Sequence, residues 1–174
     1  MTTQVAFLRA VNVGKRTVSM ARLVDIVKGL VYQDPWTYNN SGNVVFDAWA
    51  ARDDLETAIG SALEKAFGFE VTTFVRTAAE VRRAVAARPF ELADGDTHFV
   101  TFLKSPPSAA ARRSLESLSN DFDTLVVKGR DVHWHMRGKS TDTTLKTKQW
   151  DDLVGRHAST SRNINMLGKL AARL

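Results

Sequence analysis

The chain has 174 residues, 44% hydrophobic and 25% charged, enough apolar material for one domain or two small ones sharing a core. It has no cysteine, which excludes a disulfide framework, a thiolate zinc site and a cysteine nucleophile. The net charge of +5 favours anionic partners such as phosphates or nucleic acid, although no long basic run concentrates that charge.

The first apolar run, Val5-Ala6-Phe7-Leu8, reads as a strand buried on both faces. No basic segment precedes it and it is too short for a secretory leader or a membrane span, so a cytoplasmic protein is expected. A polar loop, Asn12 to Arg16, follows. Ser19 is placed to cap a helix whose stripe is Met20, Leu23, Val24, Val27 and Leu30, with Gly29 as its stop. Pro35 blocks helix, and Trp36-Thr37-Tyr38 and Val44-Val45-Phe46 read as strands. Asp53 and Asp54 open a helix carrying Leu55, Ile59 and Leu63, and Gly68 ends it. Val71–Val75 is the next strand. Thr77 and Glu80 have capping-box spacing for a third helix.

The pattern then restarts. Phe99–Leu103 reads as a strand, Ser108 precedes a helix with Leu115 and Leu118, and Leu125–Val127 and Val132–Met136 flank the turn Lys128-Gly129-Arg130-Asp131 as a hairpin. Two helices follow, one with Trp150, Leu153 and Val154, one with Ile164, Leu167, Leu170 and Leu174. The expectation is an α+β protein of two ferredoxin-like halves, the first βαββαβ and the second βαββαα. The halves span 1–88 and 97–174, joined through the breaker-rich, acidic stretch Arg88–Asp96.

Three polar clusters are candidates for ligand binding. Arg9, Asn12, Lys15 and Arg16 crowd a strand-to-helix loop where amides and basic groups suit a phosphate, without the G-x-x-x-x-G-K-[ST] spacing of a P-loop. Ser41 and Asn43 flank Gly42 in TYNNSGNVVF, a stretch that turns the chain and offers short hydrogen-bonding groups. In STSRN, Thr160 or Ser161 is expected to cap the final helix, with Arg162 and Asn163 in its first turn. A cation there opposes the helix dipole and calls for an anionic partner, Asp151, Asp152 or a ligand. His133 and His135 share a strand face, but no third ligand and no H-E-x-x-H accompanies them, so neither a metal nor a cofactor is expected.

The stretches FLRAVNVGK, TY-x-x-SGNVVF and T-S-R-N-x-N, with Met20 and Leu23 at matching offsets, resemble the domain-of-unknown-function family numbered 1697. The resemblance covers nearly the whole chain and implies a two-part α+β fold; it brings no activity, substrate or cofactor. The chain departs from the family at Ala10, Lys15 and Val31, where glycine is usual.

The leading functional expectation is a binding module for a phosphorylated ligand, a nucleotide or RNA through Arg9, Asn12, Lys15, Ser41, Asn43, Arg162 and Asn163. An RNA-recognition sheet with one open aromatic face is not expected, because Val5/Phe7 and Ala6/Leu8 make both faces apolar. The alternatives are a non-enzymatic scaffold or homodimer, and a small phosphate or acyl-phosphate hydrolase using Arg9 and Asn43.

Overall fold

The computed structural model describes residues 1–174. The chain forms two compact units, Met1–Arg82 together with Leu170–Leu174, and Arg83–Lys169. The architecture is α+β, with two four-stranded sheets, antiparallel throughout, and six α-helices. No helix is long and apolar enough to cross a membrane.

The first unit runs β1 (Thr2–Leu8), α1 (Met20–Lys28), β2 (Gln33–Thr37), β3 (Asn43–Ala48), α2 (Arg52–Phe67) and β4 (Thr73–Thr77), with sheet order β2-β3-β1-β4. Period-2 alternation directs Ala6, Leu8, Val44, Phe46 and Val75 to a core with Leu23 and Val27 of α1 and Leu55, Ile59 and Leu63 of α2. Val5, Phe7, Val45 and Phe74 on the other face are equally buried, as the unbroken apolar run requires. Ser19 caps α1 by accepting from the Arg22 amide at 3.0 Å. β4 starts two residues later than expected because its partner β1 ends at Leu8, which pairs with Thr73. Val71 stays in the core. Polar groups join this interior as well, among them Thr73 and Glu56 of α2, which is 8% exposed and whose Oε1 accepts from the Val75 amide at 2.8 Å.

α3 (Ala78–Ala86) follows. Its capping box forms in both directions, Glu80 N to Thr77 Oγ1 at 3.1 Å and Thr77 N to Glu80 Oε2 at 2.8 Å.

The second unit contains β5 (Thr97–Leu103), α4 (Ala109–Glu116), β6 (Asp123–Lys128), β7 (Asp131–Met136), α5 (Thr147–Val154), β8 (Ser159–Asn163) and most of α6 (Ile164–Ala171), with sheet order β6-β7-β5-β8. Leu103, Leu115, Leu125, Val127, Val132, Trp134 and Met136 form its core with Trp150. Asp123 is fully buried. It accepts from Trp134 Nε1 at 2.8 Å, Thr143 Oγ1 at 2.7 Å and Asn120 Nδ2 at 3.1 Å, so its oxygens are satisfied.

The second unit corrects the expected βαββαα order. Ser159–Asn163 is not a helix start but the edge strand β8, paired from Leu103↔Ser159 to Phe99↔Asn163. A polar STSRN segment gives no apolar alternation to mark a strand. Its backbone partners come from β5, about sixty residues earlier in the chain.

Candidate functional site

In the first unit the loop after β1 and the turn between β2 and β3 are built as one structure. β1 ends as the Leu8 amide donates to the Gly42 carbonyl at 2.8 Å and the Arg9 amide to the Thr72 carbonyl at 2.9 Å. The loop then takes left-handed conformations at Ala10 (φ +56°), Asn12 (φ +55°) and Gly14 (φ +61°). Asn12 joins the two segments. Its Nδ2 donates to the Asn40 carbonyl at 2.7 Å and its Oδ1 accepts from the Val18 amide at 2.7 Å. Asn43 is fully buried and shapes the turn, its Nδ2 donating to the Tyr38 carbonyl at 2.7 Å and to Ser41 Oγ at 2.9 Å. Gly42 is required where the segments touch: φ is +79° and an added Cβ would run into Val11 Cγ2.

Asn12, Ser41 and Asn43 are thus brought together, Asn12 bonded to the backbone of Asn40 and Val18 and Asn43 to the Tyr38 carbonyl and to Ser41. Arg9 is half-buried, while Gly14, Lys15 and Arg16 are exposed. The Arg16 guanidinium lies over the Phe69 ring at 4.7 Å, which steadies it without neutralising it. The result is an exposed basic loop on a hydrogen-bonded base.

Arg162 and Asn163 lie in the second unit, on β8. They do not occupy the first turn of a helix as expected. Arg162 is 7% exposed and donates from Nη1 to Thr160 Oγ1 at 2.8 Å and to the Ser161 carbonyl at 2.9 Å. Burial pulls its pKa down to about 10, which leaves it charged at neutral pH. Asp152 pairs instead with Lys148 at 2.7 Å. Asn163, not Thr160 or Ser161, serves the start of α6: its Oδ1 accepts from the Asn165 amide at 2.8 Å.

The feature that sequence reasoning missed is a histidine cluster. His133 and His135 share a face of β7 as their spacing predicted, but His98 on β5 completes the group. His98 stands opposite His135 in the ladder, and its Nε2 lies 2.9 Å from His133 Nδ1. Both His98 and His133 are buried, and burial pushes each pKa down to about 4. His135 Nε2 meets Asp96 Oδ2 at 2.8 Å, and that hydrogen bond holds the Asp96 carboxyl below its usual range. Phe90 packs on both His98 and His135. No group of three or more His, Asp or Glu side chains is arranged to hold a metal ion. Strand register is the only signal that could have found His98.

Fold and loops together define an α+β protein of two four-stranded antiparallel sheets, with an Asn-stitched loop pair at one end of the first. The chain belongs to the family described as "Protein of unknown function (DUF1697)", which matches residues 1–133. The conserved bacterial protein SP0830 from Streptococcus pneumoniae is a structural neighbour. It shares a TM-score of 0.76 and 17% identity, over 100% of this chain and 98% of the other, a likeness of fold. No curated protein matches the chain.

Proposed function

We propose that this chain is a binding protein for a phosphorylated ligand, a nucleotide or RNA, and that the exposed Val13–Arg16 segment makes the contact. The observation that carries this reading is the pair of Asn12 bonds. They fix a basic loop to its neighbour and leave Gly14, Lys15 and Arg16 in solvent. Left-handed residues recur at Ala10, Asn12 and Gly14, and backbone of alternating hand turns amide N–H groups toward a common anion. In this reading Lys15 and Arg16 supply charge, while Asn12, Ser41 and Asn43 position the loop. The two halves, 1–88 and 97–174, are taken as ferredoxin-like and the setting as cytoplasmic. Arg162 and Asn163 belong to the reading only as a second basic element on β8.

The test is a thermal-shift screen of nucleotides, sugar phosphates and short RNAs on the parent chain and on Lys15→Ala, Arg9→Ala and Arg162→Ala. A true ligand at a hundred times its Kd stabilises the parent by about 2.7 kcal/mol, and Lys15→Ala loses most of that shift. A panel without effect, or a Lys15→Ala protein that responds equally, overturns the proposal. RNA binding also requires affinity to fall steeply with salt; a flat salt titration removes the RNA version.

A second reading, a non-enzymatic scaffold or homodimer, is favoured by one observation. Asn43 and Arg162 are buried and hydrogen-bond to nearby backbone. Sedimentation equilibrium decides the homodimer: a monomer at all concentrations sinks it. A hydrolase using Arg9 and Asn43 gains no support, since Asn43 has no exposed surface to place a water.

A further inference from the structure

The first unit carries a second polar cleft, unrelated to the Asn-stitched loops. It has a volume of about 180 Å³ and is lined by Thr3, Asp34, Trp36, Asp47 and Arg173. A β-bulge builds it. Gln33 pairs with Asp47 and Trp36 with Val45, so Asp34 and Pro35 together oppose Phe46 alone. Regular alternation would put Pro35 on the face of Gln33; the extra residue puts Trp36 there instead. Asp34 absorbs the irregularity at φ +47°, directly before a proline, a position that disfavours helical backbone of either hand. Such strain is retained where the surrounding structure holds a side chain to a task.

The charges of the cleft do not pair with one another. The Arg173 guanidinium lies 4.6 Å over the Trp36 ring and 5.5 Å from that of Tyr38, and it forms no ion pair with Asp34 or Asp47. Two carboxylates and one guanidinium therefore face a small space with an aromatic wall and the Thr3 hydroxyl. We propose that this cleft binds a free basic α-amino acid. The ligand carboxylate meets Arg173, its two cationic groups meet Asp47 and Asp34, and its methylene stem lies along Trp36. This matches the three side-chain charges of the cleft one for one; Leu174 also borders it. The volume suits a ligand smaller than the usual drug-sized occupant, whose pockets run from about 300 Å³ upward. This site and ligand class are independent of the phosphate reading above.

The test is a titration of the isotope-labelled full chain with L-lysine and L-arginine, followed by amide chemical shifts. Cadaverine, which lacks the carboxylate, and L-norleucine, which lacks the side-chain cation, are the controls. Saturable shifts confined to residues 3, 33–36, 45–47 and 173 are expected, with each control weaker by about tenfold or more, the worth of one lost charged contact. Arg173→Ala removes the preference for lysine over cadaverine. Asp34→Gly relieves the left-handed strain, so the variant melts higher than the parent yet binds lysine more weakly. Absence of saturable shifts, cadaverine binding as well as lysine, or unchanged lysine affinity in Asp34→Gly overturns the proposal.

Discussion

Ala10 and Val31 hold left-handed backbone, at φ +56° and +65°, without being glycine. Their Cβ atoms meet the following carbonyl in that conformation. At Val31 the helix has already ended. Gly29 takes right-handed geometry as the C-cap of α1, and Val31, exposed, makes the reversal into β2. No packing compensates there, since Val31 is 90% exposed. Val31→Gly is therefore expected to stabilise the fold by about 1 kcal/mol, and Ala10→Gly by somewhat less, after allowance for the freer unfolded chain. A higher denaturation midpoint at unchanged slope is the readout. Gly42 is the opposite case. Its φ of +79° and the contact with Val11 leave no room for a methyl group, so Gly42→Ala should cost about 3 kcal/mol by strain and overpacking. The same urea titration reports it. Asn12→Ala, which strands the partly buried Val18 amide and returns the Asn40 carbonyl to water, should cost about 1 kcal/mol.

Among the elements, β5 and β7 place the most consequential side chains. Their register sets His98 opposite His135 and diagonal to His133, whose ring it meets in the interior, where the neutral forms share a hydrogen bond and burial opposes a charge. Each folded pKa is depressed from 6.5 to about 4. The unfolded chain therefore takes up protons first as pH falls. The stability these groups provide is complete above about pH 6.5 and is lost progressively down to pH 4, below which both states are protonated. Each histidine is linked to about 3 kcal/mol over that interval if it titrates alone, and less as a coupled pair. Neighbouring cations, Arg88 near His98 and Lys128 near His133, push in the same direction, whereas Asp96 is engaged by His135. Denaturation midpoints from pH 8 to pH 4 should fall steeply in the parent and less steeply in His98→Gln; parallel curves would refute the linkage.

Across the whole molecule, the hydrogen-bond ladders predict where the backbone is best protected. β1, β3, β5 and β7 are each paired on both sides, whereas β2, β4, β6 and β8 lie at sheet edges. Amide exchange should be slowest in the four central strands and fastest, among strands, in β2 with its bulge and in the polar β8. Equal protection in β8 and β7 would contradict this. At this scale the sequence was legible where the signal was local. Apolar periodicity located α1, α2 and the central strands. Ser19, Thr77 and Glu80 announced their helix starts through side chains that reach only three residues. The run Val5–Leu8 disclosed a sheet buried on both faces. Of the candidate site, the sequence indicated the loop and turn residues but not their use. Asn12, Ser41 and Asn43 were legible as hydrogen-bonding groups, while the backbone atoms that Asn12 and Asn43 bond were not.

The amino-acid order alone thus determined the α+β class, the strand–helix–strand–strand–helix–strand order of the first unit and most helix caps, because propensity, periodicity and capping act within a turn or two of chain. Tertiary structure alone decided that STSRN is an edge strand, that a bulge puts Asp34 and Trp36 beside Asp47, that Asn12 bonds to Asn40, and that His98 meets His133. Each of these depends on which distant backbone supplies the partner. A polar residue's bonding capacity is written in its side chain, but the atom that uses it is fixed only when separate segments are brought into register.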